Sequence, residues 1–292
     1  MHQGKSSAVA FALLAPALLG QTAPVSALPH DSGFAVRSGR GIQPFYEGWQ
    51  KLQTGRTVMW FGYLNRNFEE EADIAVGANN NFDLRRDMGQ PTHFYPRRRR
   101  FVFRVELPDD WPNDRRLVWT VMAQGRAETA NGWLQPEWEV DDGVIQMNVG
   151  LDTAPPDPPN SAPAISVKGD TSAAVGRILK LTASATDDGI PKPRRPTNFQ
   201  VTAPVAAPMP IPVTVAPRGV RGLRINWILY RAPETGGSVM FDPDRPEAVL
   251  GATSAESVIG ATFSAPGTYW LRAVASDGML ETPYDLKVTV VK

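Results

Sequence analysis

The sequence contains no cysteine, and only three of its 292 residues are histidines. The absence of cysteine excludes disulfides, zinc–thiolate sites, iron–sulfur clusters and a thiol nucleophile. Two of the histidines, His2 and His30, lie near the N-terminus, so His93 is the one candidate for imidazole chemistry in the body of the chain. Without disulfides, each domain must be stabilised by its hydrophobic core alone.

The chain also has no excess of charge, with 30 Lys and Arg residues against 30 Asp and Glu residues. A broad nucleic-acid footprint needs surplus basic residues to displace counterions, so a nucleic-acid partner is not expected. Hydrophobic residues make up 42% of the chain, which is enough for an ordinary packed core. The length predicts two domains, at about 150 residues per domain.

Residues 1–27 have the pattern of a secretory signal peptide. Ala8–Gly20 is an apolar stretch of 13 residues, and Val25 and Ala27 supply small side chains before the expected cleavage site. The stretch is shorter than the roughly 20 residues that a spanning helix needs. We therefore expect a secreted or periplasmic protein that begins at Leu28 and has no transmembrane segment in its mature chain.

A proline-rich segment divides the chain. Residues 151–163 (LDTAPPDPPNSAP) contain five prolines and almost no apolar side chains, a composition that favours an extended, semi-rigid linker. We predict an aromatic-rich β domain over residues 40–150 and a second β domain over residues 164–292. A Pro/Ala-rich stretch at 190–219 is expected to be a long surface loop, because proline removes hydrogen-bond donors from a sheet.

The second half alternates apolar and polar residues with the period of a β-strand. About seven short strands within roughly 130 residues are typical of an antiparallel sandwich. The four stronger predicted strands are Ile178–Ala185, Ile225–Tyr230, Tyr269–Ser276 and Leu286–Val291, and the weaker ones are Ile165–Lys168, Val239–Phe241 and Ile259–Phe263.

Parts of this half resemble bacterial immunoglobulin-like and PKD-like domains. Residues 266–278 (PGTYWLRAVASDG) look like strand F of such domains, residues 179–189 (LKLTASATDDG) look like strand B, and Trp227 occupies the place of the strand-C tryptophan. Tyr269 lies where these domains have a tyrosine corner, and leucines replace the disulfide cysteines of antibody domains. The resemblance implies an immunoglobulin/PKD-like β-sandwich, and it implies little about function because this fold has many roles.

The first half is also predicted to consist of strands, which makes the whole chain an all-β protein of two sandwich-like domains. Thr57–Leu64 is apolar on both faces, as expected of a central strand, and Phe101–Leu107 alternates. Leu117–Ala123 and Val144–Val149 are further predicted strands. This half is similar to uncharacterised secreted bacterial proteins with FYEGW, FGYLNRN and GQPTHF-type segments, a similarity that implies no activity.

Aromatic residues are concentrated in the first half, where exposed rings could stack on sugars. Those in alternating strands are expected in the core: Trp60, Phe101, Phe103 and Trp119. Those in expected loops are candidate ligand-binding residues: Tyr46, Trp49, Tyr95, Trp133 and Trp138. Asn65, Arg66 and Asn67 follow an apolar strand and are further candidates for a binding loop, with a solvated turn as the alternative.

A candidate calcium site lies in the second half, and calcium is the one cofactor that the sequence indicates. Predicted strands B and F run in the same direction, so the acids that follow them, Asp187, Asp188 and Asp277, should meet at one pole, with Asp285 nearby. The alternative is ordinary Asp-Gly turn chemistry without an ion.

The leading functional prediction is an exported, non-catalytic binding or structural protein of the cell envelope that recognises glycan or protein. No GxSxG, HExxH, P-loop or GxGxxG motif accompanies His93. The alternative is a secreted glycosidase-like hydrolase that uses acidic residues of the first domain, with the second domain as an accessory. Two carboxylates facing each other in a cleft would favour the hydrolase, whereas exposed aromatic rings would favour the binding protein.

Overall fold

A computed structural model describes residues 36–148, 158–192, 222–244 and 252–292. The predicted signal peptide lies outside these residues, as do residues 151–157 of the predicted linker and residues 193–219 of the predicted Pro/Ala-rich loop. The regular structure of the described residues is mostly β-strand, which confirms the all-β prediction. The strands are β1 (Ile42–Lys51), β2 (Thr57–Asn65), β3 (Ala72–Asp73), β4 (Asn80–Phe82), β5 (His93–Phe94), β6 (Arg97–Glu106), β7 (Leu117–Ala123), β8 (Arg126–Gly132), β9 (Ala164–Gly169), β10 (Ser172–Ala174), β11 (Ile178–Thr186), β12 (Arg224–Arg231), β13 (Val239–Asp242), β14 (Ser254–Phe263), β15 (Gly267–Ser276) and β16 (Glu281–Val291).

The N-terminal half has two three-stranded antiparallel sheets, ordered β1-β2-β6 and β4-β7-β8, and a small β3-β5 pair. β2 is central in its sheet, as its two apolar faces predict. Inward-facing residues of both sheets build one aromatic core, because alternate residues of a strand share a face. Its large rings are those of Tyr46, Phe61, Tyr63, Phe82, Phe94, Phe103, Trp111 and Trp119.

The C-terminal half has two four-stranded sheets, ordered β10-β16-β15-β12 and β13-β14-β11-β9. Strands lie at all seven predicted places, and β10 was not predicted. Alternate residues of both sheets form a second core, in which Trp227 is 6% exposed and its Nε1 donates to Ser257 Oγ at 3.3 Å. The Tyr269 hydroxyl donates to the carbonyl of Ala265 at 2.8 Å.

The prediction that Trp60 and Phe101 lie in the core is wrong. The β2–β6 ladder shifts register between Phe61 and Tyr63, and Phe101 has φ 49°, in the left-handed region. An irregularity of this kind interrupts the alternation of faces along a strand. The irregularity moves Phe101 off the core face, whereas Trp60 lies on the face of β2 opposite the core residues Met59 and Phe61. The Trp60 and Phe101 rings meet edge to face at 5.9 Å outside the core cluster, and Phe103 stays in the core.

The predicted strand at Val144–Val149 is also wrong, because the structure has the helix α1 (Asp142–Asn148) there. The Asp141 carboxylate accepts a hydrogen bond from the Val144 backbone N–H at 2.7 Å. An aspartate in this position satisfies one of the free N–H groups that begin a helix. The two apolar residues at 144 and 145 therefore belong to a short capped helix, not to a strand.

The two halves contact each other directly, and the described residues from Val36 onward belong to one compact unit. The contact joins residues 87–95 of the N-terminal half to β12. Arg231 donates two hydrogen bonds to Asp87 at 2.8 and 2.9 Å, and the Thr92 N–H donates to the Tyr230 carbonyl at 3.2 Å. These polar contacts hold the two halves together independently of the linker segment.

Candidate functional site

Three of the predicted ligand-binding residues form one cluster of aromatic rings, which we call the aromatic ledge: Tyr46, Trp133 and Trp138. The Tyr46 ring lies 6.0 Å from the Trp133 ring, nearly parallel to it, and 5.5 Å from the Trp138 ring. The centres of the two indoles are 6.5 Å apart. Trp49 lies beside the ledge, where its Nε1 donates to the Gln135 carbonyl at 2.7 Å.

Two glycines allow the chain segments of the ledge to meet. A Cβ at Gly132 would lie 2.9 Å from Met59 Sδ and 3.0 Å from the Tyr46 ring. A Cβ at Gly48 would lie 2.6 Å from the Val140 side chain, and Gly48 has φ 131°, which side chains rarely adopt. β1 therefore carries Tyr46 close against the segment that follows β8, where the two tryptophans lie.

The rings of the ledge differ in exposure. Tyr46 is buried, Trp133 is half-buried, and Trp138 is 42% exposed at the end of a short 3₁₀ turn, Pro136–Trp138. Tyr46 and Trp49 belong to β1 and not to a loop, which corrects the predicted placement. Burial raises the pKa of the Tyr46 hydroxyl, which donates to the Trp133 carbonyl at 2.8 Å. A fixed tyrosine thus supports two accessible indoles.

A cation lies over one of these indoles. The Arg116 guanidinium is 5.1 Å from the centre of the Trp133 ring. Such a pair adds a cation–π attraction and places hydrogen-bond donors at the edge of an apolar surface. The ledge therefore combines the 42% exposed side chain of Trp138 with a guanidinium that packs on the neighbouring Trp133.

The predicted binding loop at Asn65, Arg66 and Asn67 is used differently. Asn65 and Asn67 are 0% and 1% exposed. The Asn65 amide donates to two backbone carbonyls at 2.8 and 3.0 Å, while the Asn67 amide exchanges two hydrogen bonds with the Arg40 backbone. Arg66 forms an ion pair with Glu128 at 3.1 Å. The buried amides stabilise the loop from inside, which favours the structural alternative for the two asparagines.

Tyr95 belongs to the contact between the two halves. Its hydroxyl accepts a hydrogen bond from the Leu229 backbone N–H at 2.8 Å. Its own N–H donates to the Tyr63 hydroxyl at 3.0 Å. Tyr95, which was predicted to be a ligand-binding loop residue, thus joins β12 to the N-terminal half through its hydroxyl group.

His93 has two acidic partners that sequence reasoning missed. Its Nδ1 lies 2.7 Å from an Asp73 carboxylate oxygen, and its Nε2 lies 3.1 Å from a Glu71 carboxylate oxygen. Burial lowers the pKa of His93, but hydrogen bonds to Asp73 and Glu71 outweigh burial and raise the pKa to about 9. The ring is therefore an imidazolium at neutral pH, with a proton on each nitrogen, and it cannot act as a base. The signal in the sequence was the acidic pair Glu71 and Asp73 on either side of Ala72, at the start of β3, which pairs with β5.

The predicted acidic residues of the C-terminal half partly converge. Asp277 is 2% exposed, and its Oδ2 accepts a hydrogen bond from the Asn160 amide at 2.9 Å. Asp188 accepts one from the Ser161 N–H, also at 2.9 Å. Burial raises the pKa of Asp187, and the charges of Asp277 and Asp188 raise it further. Three carboxylates thus share one pole. Asn160, which the sequence analysis assigned to the linker, is also a member of this cluster.

Asp285, by contrast, does not belong to this cluster, which corrects its predicted position. Its carboxylate accepts two hydrogen bonds from Arg272, at 2.6 and 2.8 Å. In the part of the chain that the structure describes, no group of three or more His, Asp or Glu side chains has the spacing of a metal site. Nor do the described residues include a helix that is long and apolar enough to cross a membrane.

Comparisons with known proteins find few similarities. No protein-family model matches the chain, and no curated protein matches it. Among solved structures, domains 4 and 5 of the S-layer protein SbsC are 10% identical, with 87% of this chain and 98% of that chain covered and a TM-score of 0.24. A protein of unknown function from Porphyromonas gingivalis W83 is 10% identical, with 86% and 99% covered and a TM-score of 0.22. At TM-scores this low, neither similarity bears on function.

Proposed function

We propose that the protein is an exported, non-catalytic binding protein of the cell envelope that recognises glycan through the aromatic ledge. The observation that carries this proposal is the 42% exposed indole of Trp138, held against Tyr46 and Trp133. The apolar face of a sugar ring packs on an aromatic ring, while donors at the edge bind its hydroxyl groups. Arg116 supplies such donors beside Trp133.

The export part of the proposal rests on residues 1–27, which have the apolar stretch and the small residues of a signal peptide. The C-terminal half acts as an immunoglobulin/PKD-like supporting module. This assignment is supported by the sheet orders, because β9, β11, β14 and β13 take the places of strands A, B, E and D, and β12, β15 and β16 those of C, F and G. The hydrogen bond from the Tyr269 hydroxyl to Ala265 also supports it, since tyrosine corners bond in this way.

The hydrolase alternative has less support from the geometry. Glycoside hydrolysis needs two carboxyl groups that face each other across the sugar. In the shallow depression that Arg66 lines, Glu128 is the single carboxylate among the lining residues. Glu71 and Asp73 form a second acidic pair, but each is bound to a nitrogen of the protonated His93 ring. A carboxylate held in an ion pair is poorly suited to give or accept a proton during catalysis.

The proposal is tested by binding of the exported protein to a glycan array that includes cell-wall and outer-surface polysaccharides. Trp138→Ala should weaken binding about tenfold or more. It should lower the thermal midpoint only modestly, because the side chain is 42% exposed and loses its packing against Tyr46 and Trp133. Tyr284→Ala is the matched control, since Tyr284 is an aromatic residue of similar exposure, 38%, in the C-terminal half. Absence of glycan binding by the native protein, or equal binding by Trp138→Ala, contradicts the proposal.

A further inference from the structure

We propose that a depression on the N-terminal half, lined by Arg40, Arg66 and Arg126, binds a phosphate group carried by a ligand. We call it the arginine depression. Arg126 begins β8 and Trp133 directly follows that strand, so at about 3.3 Å per residue the depression and the aromatic ledge are roughly 20 Å apart. The inference thus concerns a different surface from the proposed glycan site. It goes beyond the proposed function and does not depend on it.

The three arginines come from three segments that the fold brings together. Arg40 lies just before β1 and Arg66 just after β2, and the Arg66 N–H donates to the Gly41 carbonyl at 3.2 Å. Residues 124–125 have φ 53° and 72°. Two left-handed residues in succession are typical of a tight type I′ hairpin turn, which here joins β7 to Arg126. This turn therefore forms one wall of the depression.

A carboxylate holds two of the guanidiniums. Arg66 Nη1 and Arg126 Nε lie 3.1 and 2.7 Å from the same oxygen of Glu128, Oε1. Arg66 Nη2 also donates to Gln43 Oε1 at 3.0 Å. The Glu128 side chain is only 13% exposed, whereas those of Arg66 and Arg126 are 36% and 73% exposed. Because a guanidinium has five N–H donors, both arginines keep accessible donors for a ligand, and Glu128 acts as a positioning residue.

The third arginine is fixed through its backbone while its guanidinium stays available. The Arg40 N–H donates to Asn67 Oδ1 at 2.7 Å, and Asn67 Nδ2 donates to the Arg40 carbonyl at 2.9 Å. Asn67 is 1% exposed, so it anchors the segment from inside. Within the described part of the chain, no hydrogen bond or ion pair holds the Arg40 guanidinium, and the residue is exposed. Its charge is therefore not used by the fold.

Charge and geometry favour phosphate over carboxylate. The lining side chains are three arginines and one glutamate, which gives a net charge of plus two. A phosphate monoester carries about −1.5 to −2 at pH 7 and has three acceptor oxygens, whereas a carboxylate has one charge and two oxygens. Guanidinium forks bind phosphate oxygens in pairs. Three guanidiniums from separate segments therefore match a group whose oxygens point in several directions.

The size of the depression suits one such group. Its volume is about 190 Å³, several times the roughly 30 Å³ that a water molecule takes in the liquid. The site lies at the surface, so the remainder of the ligand can extend into solvent. Because two of the guanidiniums are largely exposed, water and salt screen their attraction for the anion. We therefore expect weak binding that falls as the salt concentration rises.

The test is an NMR titration of the intact ¹⁵N-labelled protein with sodium phosphate at neutral pH and constant ionic strength. The arginine Nε–H signals of the depression should shift saturably, with a dissociation constant of about 1 mM. Sodium acetate should bind about tenfold more weakly or less. Arg40→Gln and Arg126→Gln should each weaken phosphate binding about tenfold. Arg66→Lys should weaken it too, because lysine keeps the charge but loses the fork. Arg177→Gln, at an exposed arginine of the C-terminal half, should bind as the native protein does.

Arg40→Gln is the most decisive variant, because no contact of its guanidinium is needed for folding and its thermal midpoint should equal that of the native protein. The inference is overturned if phosphate causes no saturable shift in the native protein. It is also overturned if folded Arg40→Gln binds phosphate as tightly, if Arg177→Gln loses as much affinity, or if acetate binds as tightly as phosphate. None of these measurements involves the aromatic ledge, so failure here leaves the proposed function untouched.

Discussion

Raising the pH from 7 to 10 should destabilise the protein through His93. The imidazolium is 7% exposed and contacts Asp73 and Glu71 at 2.7 and 3.1 Å. Burial opposes its charge, but the two carboxylates raise its pKa from the ordinary 6.5 to about 9. A histidine whose pKa is raised in the folded state contributes stability that is fully present below pH 6.5. That contribution is lost as the pH rises through about 9.

The magnitude follows from this difference in pKa. Each pKa unit corresponds to about 1.36 kcal/mol. The two contacts of His93 therefore contribute at most about 3.4 kcal/mol to the free energy of unfolding, and about 2.5 kcal/mol of this remains at pH 7. Glu71 and Asp73 are 50% and 43% exposed, so water screens their charges. We therefore expect a loss of about 1–2 kcal/mol in the free energy of unfolding between pH 7 and pH 10.

The assay is urea unfolding at pH 7, 8, 9 and 10 for the native protein and for His93→Gln. Glutamine keeps a polar side chain but cannot titrate, so the difference between the two proteins isolates His93 from other titrating groups. The free energy of unfolding of the native protein should exceed that of the variant at pH 7, and this difference should shrink as the pH rises. Proton NMR of the imidazole gives the pKa directly. Parallel pH profiles for the two proteins, or a His93 pKa near 6.5, would refute the reasoning.

Four further outcomes are expected. Tyr95→Phe should lower the free energy of unfolding by about 1–3 kcal/mol, because the buried Leu229 N–H loses its acceptor, and an unchanged urea midpoint would argue against this contact. Gly62→Ala should lower the free energy of unfolding by about 1–3 kcal/mol, because the new Cβ would overlap a backbone carbonyl of β6. A variant with the full stability of the native protein in the same assay would contradict this overlap. Trp227→Ala should lower the free energy of unfolding by about 3–5 kcal/mol, because Trp227 lies in the core. A red-shifted fluorescence spectrum for Trp227 in the native protein would show a solvent-exposed indole and contradict this core position. Mass spectrometry of the exported protein should find Leu28 at the N-terminus, and an intact N-terminal methionine would rule out the predicted cleavage.

The alternation along β11, β12 and β15 was enough to predict the all-β class and to place Trp227 in a core. Alternation reports which face of a strand is buried without any knowledge of its neighbours. The same reasoning failed at Phe101, because β6 has extra residues where the β2–β6 ladder shifts register, and Phe101 takes a left-handed conformation there. It failed again at residues 144–148, where the N-cap at Asp141 selects a helix.

The sequence analysis also selected Tyr46, Trp133 and Trp138 by residue type, but only the fold shows that their rings meet. It selected Tyr95 for the same reason, and the fold shows that Tyr95 contacts the other half instead. Hydrophobic patterning is local, so the sequence by itself determined the β class and most strands. Polar partners come from distant segments. Tertiary structure therefore decided that His93 lies between two carboxylates and that Asn160 joins the acidic pole, because each pairing depends on how separate segments of the chain are brought side by side.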